Sequence, residues 1–473
     1  MTTTIKFGTE GWRAVMAEEF TAQNVRIVAQ AIAEYVVKRH AEPVTVAVGH
    51  DTRFLSDYFA TTACEVLAGN GIRSIVSTGA VPTCAVSRYV VANRLPLGIV
   101  ITASHNPGRY NGMKVKESYG GSATNETVAA IEQHLGLSEP KRLVLETALK
   151  NKLVRRADMM PLFLRGIASF IDVAAIRRSK LRVIVDSMHG TGGRIIERLL
   201  SGGRCRVETL HPAPDAWFGG HAPEPIASNL DELMGTVKRT RADLGIANDG
   251  DADRLGIIGP GGAWLNPGQM MCVMLQYLIQ ERRVKGAIVK TVSNTMMINR
   301  MAEALGVALY ETPVGFKHIA KLMLSEDVAI GGEESGGIGV KGYLPERDGI
   351  VNGLLVLEAM AVQKKSLTAI LRELQRQFGE WHYGRRDLHL TMPQVDALFA
   401  RLKHSPPETI AGVPVASVNT MDGVKLIGRD ESWMLFRRSG TEPIVRIYAE
   451  TPKKFQLPRL LTLGVRVAAD SKP

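Results

Sequence analysis

Three stretches of this 473-residue chain repeat the same order of elements, and that repetition limits the possible folds more than any other feature. In the first, a strand-like Pro43–Val48 leads into Gly49-His-Asp-Thr-Arg53 and a helical pattern from Tyr58 to Ala68. Gly69-Asn-Gly71 stops that helix, and a second strand from Ile72 to Ser77 runs into a loop with Pro82. The second stretch gives strand Arg182–Val185, a glycine-rich loop, a helix to Leu200, Gly202-Gly203, strand Cys205–Leu210 and another proline loop. The third gives strand Ala287–Lys290, a helix to Leu305, Gly306, strand Val307–Tyr310 and Pro313. Each then reaches a further apolar strand, Leu97–Ile101, Leu244–Ala247 or Val328–Gly331, with a polar loop at its carboxyl end.

Strands alternating with helices predict parallel or mixed sheets covered on both faces. Ligands of such sheets gather outside the carboxyl ends of the strands, so three copies offer three loops to a shared cleft. From about Gln377 the pattern changes to short strands and turns, ending in strand Trp433–Phe436, loop Arg437–Pro443 and strand Ile444–Ala449. The expected fold is therefore α/β: three similar α/β domains with mixed sheets at residues 1–150, 151–255 and 256–375, then a smaller α+β domain at 376–473. The basic stretch Thr451–Pro473 shows no pattern to which a role attaches.

Composition narrows the function. Lys and Arg total 58 against 47 Asp and Glu, a formal charge of +11, but the basic residues are spread out and aromatics are only 6%. Nucleic-acid binding by clustered basic and aromatic residues is thus not expected, whereas a mildly basic surface or an anionic substrate is. Apolar runs such as Gly268–Gln280 fall short of the roughly 20 residues that span a bilayer, and Met1-Thr-Thr-Thr-Ile-Lys lacks a signal-peptide pattern. Cys64, Cys84, Cys205 and Cys272 lie too far apart for a CxxC site, so a cytoplasmic chain without disulfides or membrane contact is expected.

The four polar loops carry the chemistry. Thr102-Ala-Ser-His-Asn-Pro107 sets Ser104 at a strand end, either as a nucleophile or as a serine satisfying an Asn-Pro turn; no GxSxG surrounds it. Lys114 lies on the returning segment, where a positive neighbour would depress its pKa into the acid/base range. In Asp249-Gly-Asp-Ala-Asp-Arg254 the acids alternate, so extended backbone would point all three one way. Three convergent carboxylates call for a hard cation such as Mg²⁺. An EF-hand is excluded, because its glycine and glutamate positions hold Arg254 and Pro260. Arg254 would pair with an acid or reach a phosphate. Gly332-Glu-Glu-Ser-Gly336 offers Glu333 and Ser335 for sugar hydroxyls. Arg437-Arg-Ser-Gly-Thr441 suits a phosphate and is not a Walker loop.

Together with Gly8-Thr-Glu-Gly-Trp-Arg13, these loops in this order resemble those of the α-D-phosphohexomutases, the phosphoglucomutase/phosphomannomutase family. The resemblance spans essentially the whole chain and implies a four-domain enzyme around a central cleft. It implies that Ser104 carries a phosphoryl group, that Mg²⁺ is bound by Ser104, Asp249, Asp251 and Asp253, and that Lys114 is the general acid/base. Arg13, His105 and Arg254 would line the reacting centre. Glu333, Ser335 and Lys317 would contact the sugar, and Arg437, Ser439, Gly440 and Thr441 would clamp the phosphate that does not react.

The implied reaction interconverts hexose 1-phosphate and hexose 6-phosphate through a 1,6-bisphosphate, with glucose 1,6-bisphosphate as activator and the chain a monomer or homodimer. Gly337 stands where some dual-specificity members have histidine, and Glu334 where glucosamine-specific members have glutamine. Both favour glucose phosphates, with mannose phosphates as the alternative and glucosamine phosphate behind them. A phosphotransferase that releases glucose 1,6-bisphosphate would need the same residues, whereas a non-catalytic phosphosugar sensor would not need them all.

Overall fold

Four sheets organise the chain in the computed structural model, which describes residues 5–8, 10–40, 44–438 and 444–470. The first sheet runs, in spatial order, Trp12–Val15, Tyr110–Glu117, Leu97–Ile101, Thr45–His50, Arg73–Ser77 and Val154–Ala157. Thr45–His50 is parallel to both of its neighbours, and Tyr110–Glu117 is antiparallel to both of its own. Val46, Ala47 and Val48 are fully buried, as expected of a strand covered on two faces. One cover is the helix Ala22–Arg39, capped by Thr21 Oγ1 accepting from the Asn24 N–H. Its Val25, Val28, Ala29, Ile32 and Val36 recur at helical spacing and are all buried in the first core. Each of the larger ones stabilises that packing by about 1.5–3 kcal/mol.

The antiparallel edge positions two site residues. Arg13 pairs with Gly112 across the strands, and Lys114 lies two residues on, so period-two alternation sets both side chains on one face. A Cβ at Gly112 would come within 3.1 Å of the Arg13 Cγ and 2.5 Å of the Thr102 carbonyl oxygen, which explains the glycine between them.

The second sheet is ordered Ala263–Leu265, Leu255–Gly259, Leu244–Asn248, Arg182–Asp186 and Arg206–Leu210. The division expected at residue 255 falls inside this sheet, and the first sheet takes a strand from beyond residue 150. In the third sheet Ala287–Thr291 is parallel to Leu309–Thr312 and to Val328–Gly332. The fourth is antiparallel throughout: His382–His389, Ile444–Thr451, Trp433–Arg438, Val424–Gly428, Val413–Asn419 and Thr409–Ile410.

Two expectations need correction here. Arg437 and Arg438 extend the strand rather than open the loop, because they pair with Arg446 and Val445. The stretch after Thr451 is not featureless, for Leu457–Ala469 forms a helix whose Leu460, Leu461 and Ala468 bury against the fourth sheet. Gly464 permits that approach, since a Cβ there would lie 2.6 Å from the Ile447 Cγ2.

The chain divides into two compact units, one of Met1–Leu265, Ala320–Glu326 and Ser335–Leu367, the other of Asn266–Ile319, Asp327–Glu334 and Thr368–Pro473. All four cysteines are buried as free thiols. Among the described residues no helix is long and apolar enough to cross a membrane.

Candidate active site

Ser104 follows the strand Leu97–Ile101 in a left-handed conformation, φ 52°, which is uncommon for a residue with a Cβ. Its N–H donates to Thr102 Oγ1 at 2.9 Å and its hydroxyl donates to Asp249 Oδ2 at 2.8 Å. The side chain is buried. His105 Nδ1 lies 3.4 Å from the same hydroxyl. Burial first, then the nearby Arg254 and Arg13 guanidinium groups, hold this imidazole well below its usual pKa, so it is neutral.

Asp249, Asp251 and Asp253 do converge, with one carboxylate oxygen from each lying within 4.8 Å of the others. The expected mechanism of convergence is wrong, however. Asn248 pairs with Leu255, so the intervening residues must reverse the chain instead of running extended. The reversal is a tight turn in which the Ala252 N–H donates to the Asp249 carbonyl at 3.0 Å and Ala252 takes φ 59°. Burial and the charges of Asp253 and Asp251 push the Asp249 carboxyl well above the usual range. Asp251 and Asp253 are lowered in spite of burial and mutual repulsion, because cations face them.

Lys114 is one of those cations, with Nζ donating to Asp251 Oδ2 at 2.7 Å and to Asp253 Oδ2 at 2.9 Å. Its pKa was expected to fall. Burial does lower it, but Asp251, Asp253 and Glu10 outweigh burial and raise it, so the residue is a held ammonium ion. The other oxygens of the two acids, Asp251 Oδ1 and Asp253 Oδ1, are buried without a hydrogen-bond partner among the described residues. Buried carboxylate oxygens left unpaired are costly. They fit an oxygen-loving divalent cation, and Mg²⁺ suits this donor set.

Several residues at this centre escape a reading by motif. Glu10 ties three cations together: Arg347, Lys114 at 4.0 Å and Arg13 at 3.6 Å. Burial would raise its pKa, but Arg347 and Lys114 prevail and hold it at about 2. Arg347 also donates to Asp253 Oδ2 at 2.7 Å. Thr83 fixes Asp251 twice, its hydroxyl donating to Oδ2 and its N–H to the carbonyl at 3.1 Å. Arg13 Nη1 donates to Asn106 Oδ1 at 3.0 Å. The Arg254 guanidinium is 3.7 Å from Glu224, while its N–H donates to Asp249 Oδ1 at 2.9 Å. Partners so distant in sequence leave no spacing signal. Only the Gly8–Arg13 motif pointed near Glu10.

Of the residues expected to hold the sugar and distal phosphate, Glu333, Lys317 and Arg437 belong to the second compact unit and Ser335 to the first. Glu333 Oε1 accepts from the Gly315 N–H at 3.0 Å, two residues before Lys317 in the first turn of the helix Phe316–Ser325. The Val314 N–H donates to Asp422 Oδ2 at 2.9 Å, and that oxygen also accepts from Arg437 Nε at 2.7 Å. Glu333, the turn before Lys317 and Arg437 are thereby linked. Glu334 turns away to Thr291 Oγ1, which donates at 3.0 Å. Ser335 Oγ is buried with no hydrogen-bond partner among the described residues. Ser439, Gly440 and Thr441 lie outside the described residues.

The models of phosphoglucomutase/phosphomannomutase alpha/beta/alpha domains I, II and III match residues 4–140, 161–262 and 266–378. A Thermococcus kodakarensis protein named phosphoglucomutase/phosphomannomutase is 29% identical, over 98% of each chain. A Methanothermobacter thermautotrophicus protein carrying the phosphoglucosamine mutase name is 30% identical over 94% of this chain and 93% of its own. Among solved structures, one from Thermus thermophilus carrying the phosphomannomutase name superimposes with a TM-score of 0.87 at 33% identity, over 99% of this chain and all of that one.

Proposed function

Since the chain belongs to the phosphoglucomutase/phosphomannomutase family of phosphohexomutases, we propose that it interconverts hexose 1-phosphate and hexose 6-phosphate through phosphorylated Ser104, with glucose phosphates as preferred substrates. The observation that carries this reading is the Ser104 hydroxyl 2.8 Å from Asp249, beside two acids that each keep one buried oxygen unpaired.

Phosphoryl transfer asks a protein mainly to position its reactants and to neutralise developing charge. A Mg²⁺ ion held by Asp249, Asp251, Asp253 and the Ser104 oxygen would supply charge neutralisation on the transferring group. The chain's own residues do the rest. When a sugar hydroxyl attacks, its new P–O bond forms as the Ser104 Oγ–P bond breaks; the departing Oγ takes a proton from the Lys114 ammonium, and the proton that the hydroxyl gives up restores that ammonium. Lys114, held as an ammonium by its acids, is the proton donor in this scheme. Arg13 and Arg254 face the phosphoryl oxygens, and His105 stays neutral beside Ser104. Glu333, Ser335 and Lys317 hold the sugar. Arg437, with Ser439, Gly440 and Thr441, holds the spectator phosphate, so either end of the sugar can present itself.

Phosphorus-31 NMR of the protein with Mg²⁺, glucose 1-phosphate and a trace of glucose 1,6-bisphosphate tests this. Glucose 6-phosphate should accumulate. Growth of free bisphosphate as the main product would instead indicate a phosphotransferase. Faster conversion of glucosamine 1-phosphate in parallel would transfer the preference to the aminosugar, in line with the relative of that name.

A further inference from the structure

Arg53 is buried directly behind the Ser104 loop, and nothing in the mechanism above uses it. Its guanidinium donates to four carbonyl oxygens of that loop and the strand that follows it: Ser104 at 2.6 Å, Asn106 at 2.7 Å, Pro107 at 2.8 Å and Tyr110 at 3.1 Å. Nε completes the set by donating to Asp51 Oδ2 at 3.0 Å. The Phe218 ring, from the second sheet's part of the same unit, covers the guanidinium, with Cζ 4.7 Å from its centroid. Asp51 is fixed in turn by the Ser56 hydroxyl at 2.8 Å and by the Arg53 N–H at 2.9 Å.

This is a saturated fork. A planar guanidinium reaches several acceptors from one fixed position, which a lysine ammonium cannot copy. The loop it holds needs holding, because Ser104 sits at φ 52°, a conformation that persists only where the surroundings enforce it. The opposite side is closed as well, since a Cβ at Gly250 would meet the Ser104 carbonyl oxygen at 2.7 Å. The grip falls on the backbone of the reacting serine and leaves its hydroxyl to Asp249.

We infer that Arg53 is a positioning residue for phosphoryl transfer: by gathering the carbonyls of Ser104, Asn106, Pro107 and Tyr110 it holds the strained loop that presents the Ser104 hydroxyl to the acid cluster. This rests on the phosphoserine reading above for its kinetic consequence, though not for the anchoring itself. Misplacement of a reacting atom by about 1 Å costs on the order of 100-fold in rate, and substrate contacts made elsewhere are untouched.

The test is Arg53→Lys in the full chain with Mg²⁺. The expected result is a kcat about 30–100-fold lower with KM within threefold, slower phosphorylation of Ser104 by glucose 1,6-bisphosphate, and amide hydrogen exchange at least about tenfold faster across residues 104–110. In Arg53→Ala, added methylguanidinium should restore part of kcat, a rescue that a merely structural residue would not show. Unchanged kcat and exchange in folded Arg53→Lys overturn the inference. If that variant does not fold, Phe218→Leu replaces it, stripping the ring from the guanidinium but none of its hydrogen bonds. It should lower kcat by about threefold to tenfold at constant KM, and an unchanged kcat refutes the anchor. If the wild-type chain takes no phosphoryl group on Ser104, the phosphoserine reading fails on its own, and the exchange measurement still decides whether Arg53 anchors the loop.

Discussion

Replacing Lys114 by Met should separate the structural from the chemical work of the acid cluster. The substitution keeps an unbranched side chain of similar length and removes two charge-assisted bonds, to Asp251 at 2.7 Å and to Asp253 at 2.9 Å. Taking one partner out of a buried ion pair costs about 3–5 kcal/mol. Thr83 still donates to Asp251 and Arg347 to Asp253, so the lower end, about 3 kcal/mol, is expected. At about 2–4 °C per kcal/mol, the transition of the unit containing the cluster should fall by about 6–12 °C in EDTA. The chain has several domains, so that transition, and not a global free energy, is the quantity to follow. Saturating Mg²⁺ should then raise the variant by more than it raises the wild type, because a divalent cation replaces the missing ammonium. At 100 times its Kd a ligand stabilises by about 2.7 kcal/mol, enough to recover most of the loss. Turnover should stay about 10²–10⁴-fold low even so, since the proton donor is gone. Calorimetry with and without EDTA reads both effects. A variant that melts with the wild type in EDTA would contradict the claim that Lys114 neutralises the acids.

Other outcomes follow from the same geometry. Asp422→Ala frees both Arg437 and the Val314 N–H, and should raise KM by about tenfold with kcat changed much less, read from steady-state kinetics. His211, partly exposed, faces Asp186 at 2.9 Å and Glu232 at 3.3 Å; burial lowers its pKa, but these partners raise it overall. Its stabilisation is therefore complete below the unfolded value of about 6.5 and disappears as pH rises through the higher folded value. Denaturant midpoints of His211→Asn against wild type from pH 5 to 8 should differ at the acid end and converge at the alkaline end. Lys425 is held down to about 7 by burial and by the neighbouring Lys290. Between there and about 10.4 the unfolded chain binds the extra proton, so stability rises with pH, and Lys425→Met should flatten that slope in thermal melts.

The repeats and loops carried most of the architecture in the sequence, because strand alternation, glycine stops and the clustered acids are local patterns. Leu97–Ile101 is placed as expected, and Leu244–Ala247 differs by one residue. What stayed hidden was produced by pairing. That Asn248 faces Leu255 across a hairpin decides how the three acids converge, and no alternation rule contains it. Lys114 keeps its charge in spite of burial through acids more than a hundred residues away. Glu10, Arg53, Thr83 and Arg347 read as ordinary polar residues until folding brings them to the loops they hold. The C-terminal helix was obscured by the basic residues before it, although Leu457, Leu460, Leu461 and Gly464 keep helical spacing.

The central claim is that the Ser104 hydroxyl is the group that carries the phosphoryl. Its most direct test is peptide mass spectrometry of the protein after incubation with Mg²⁺ and glucose 1,6-bisphosphate, followed by addition of glucose 1-phosphate. A single phosphoryl group on Ser104 that, ¹⁸O-labelled from the bisphosphate, passes its label into glucose 6-phosphate when the sugar phosphate is added while Ser104 stays phosphorylated, and that is absent from Ser104→Ala together with turnover, is the expected result. Phosphorylation at another residue, or turnover that survives in Ser104→Ala, would contradict it.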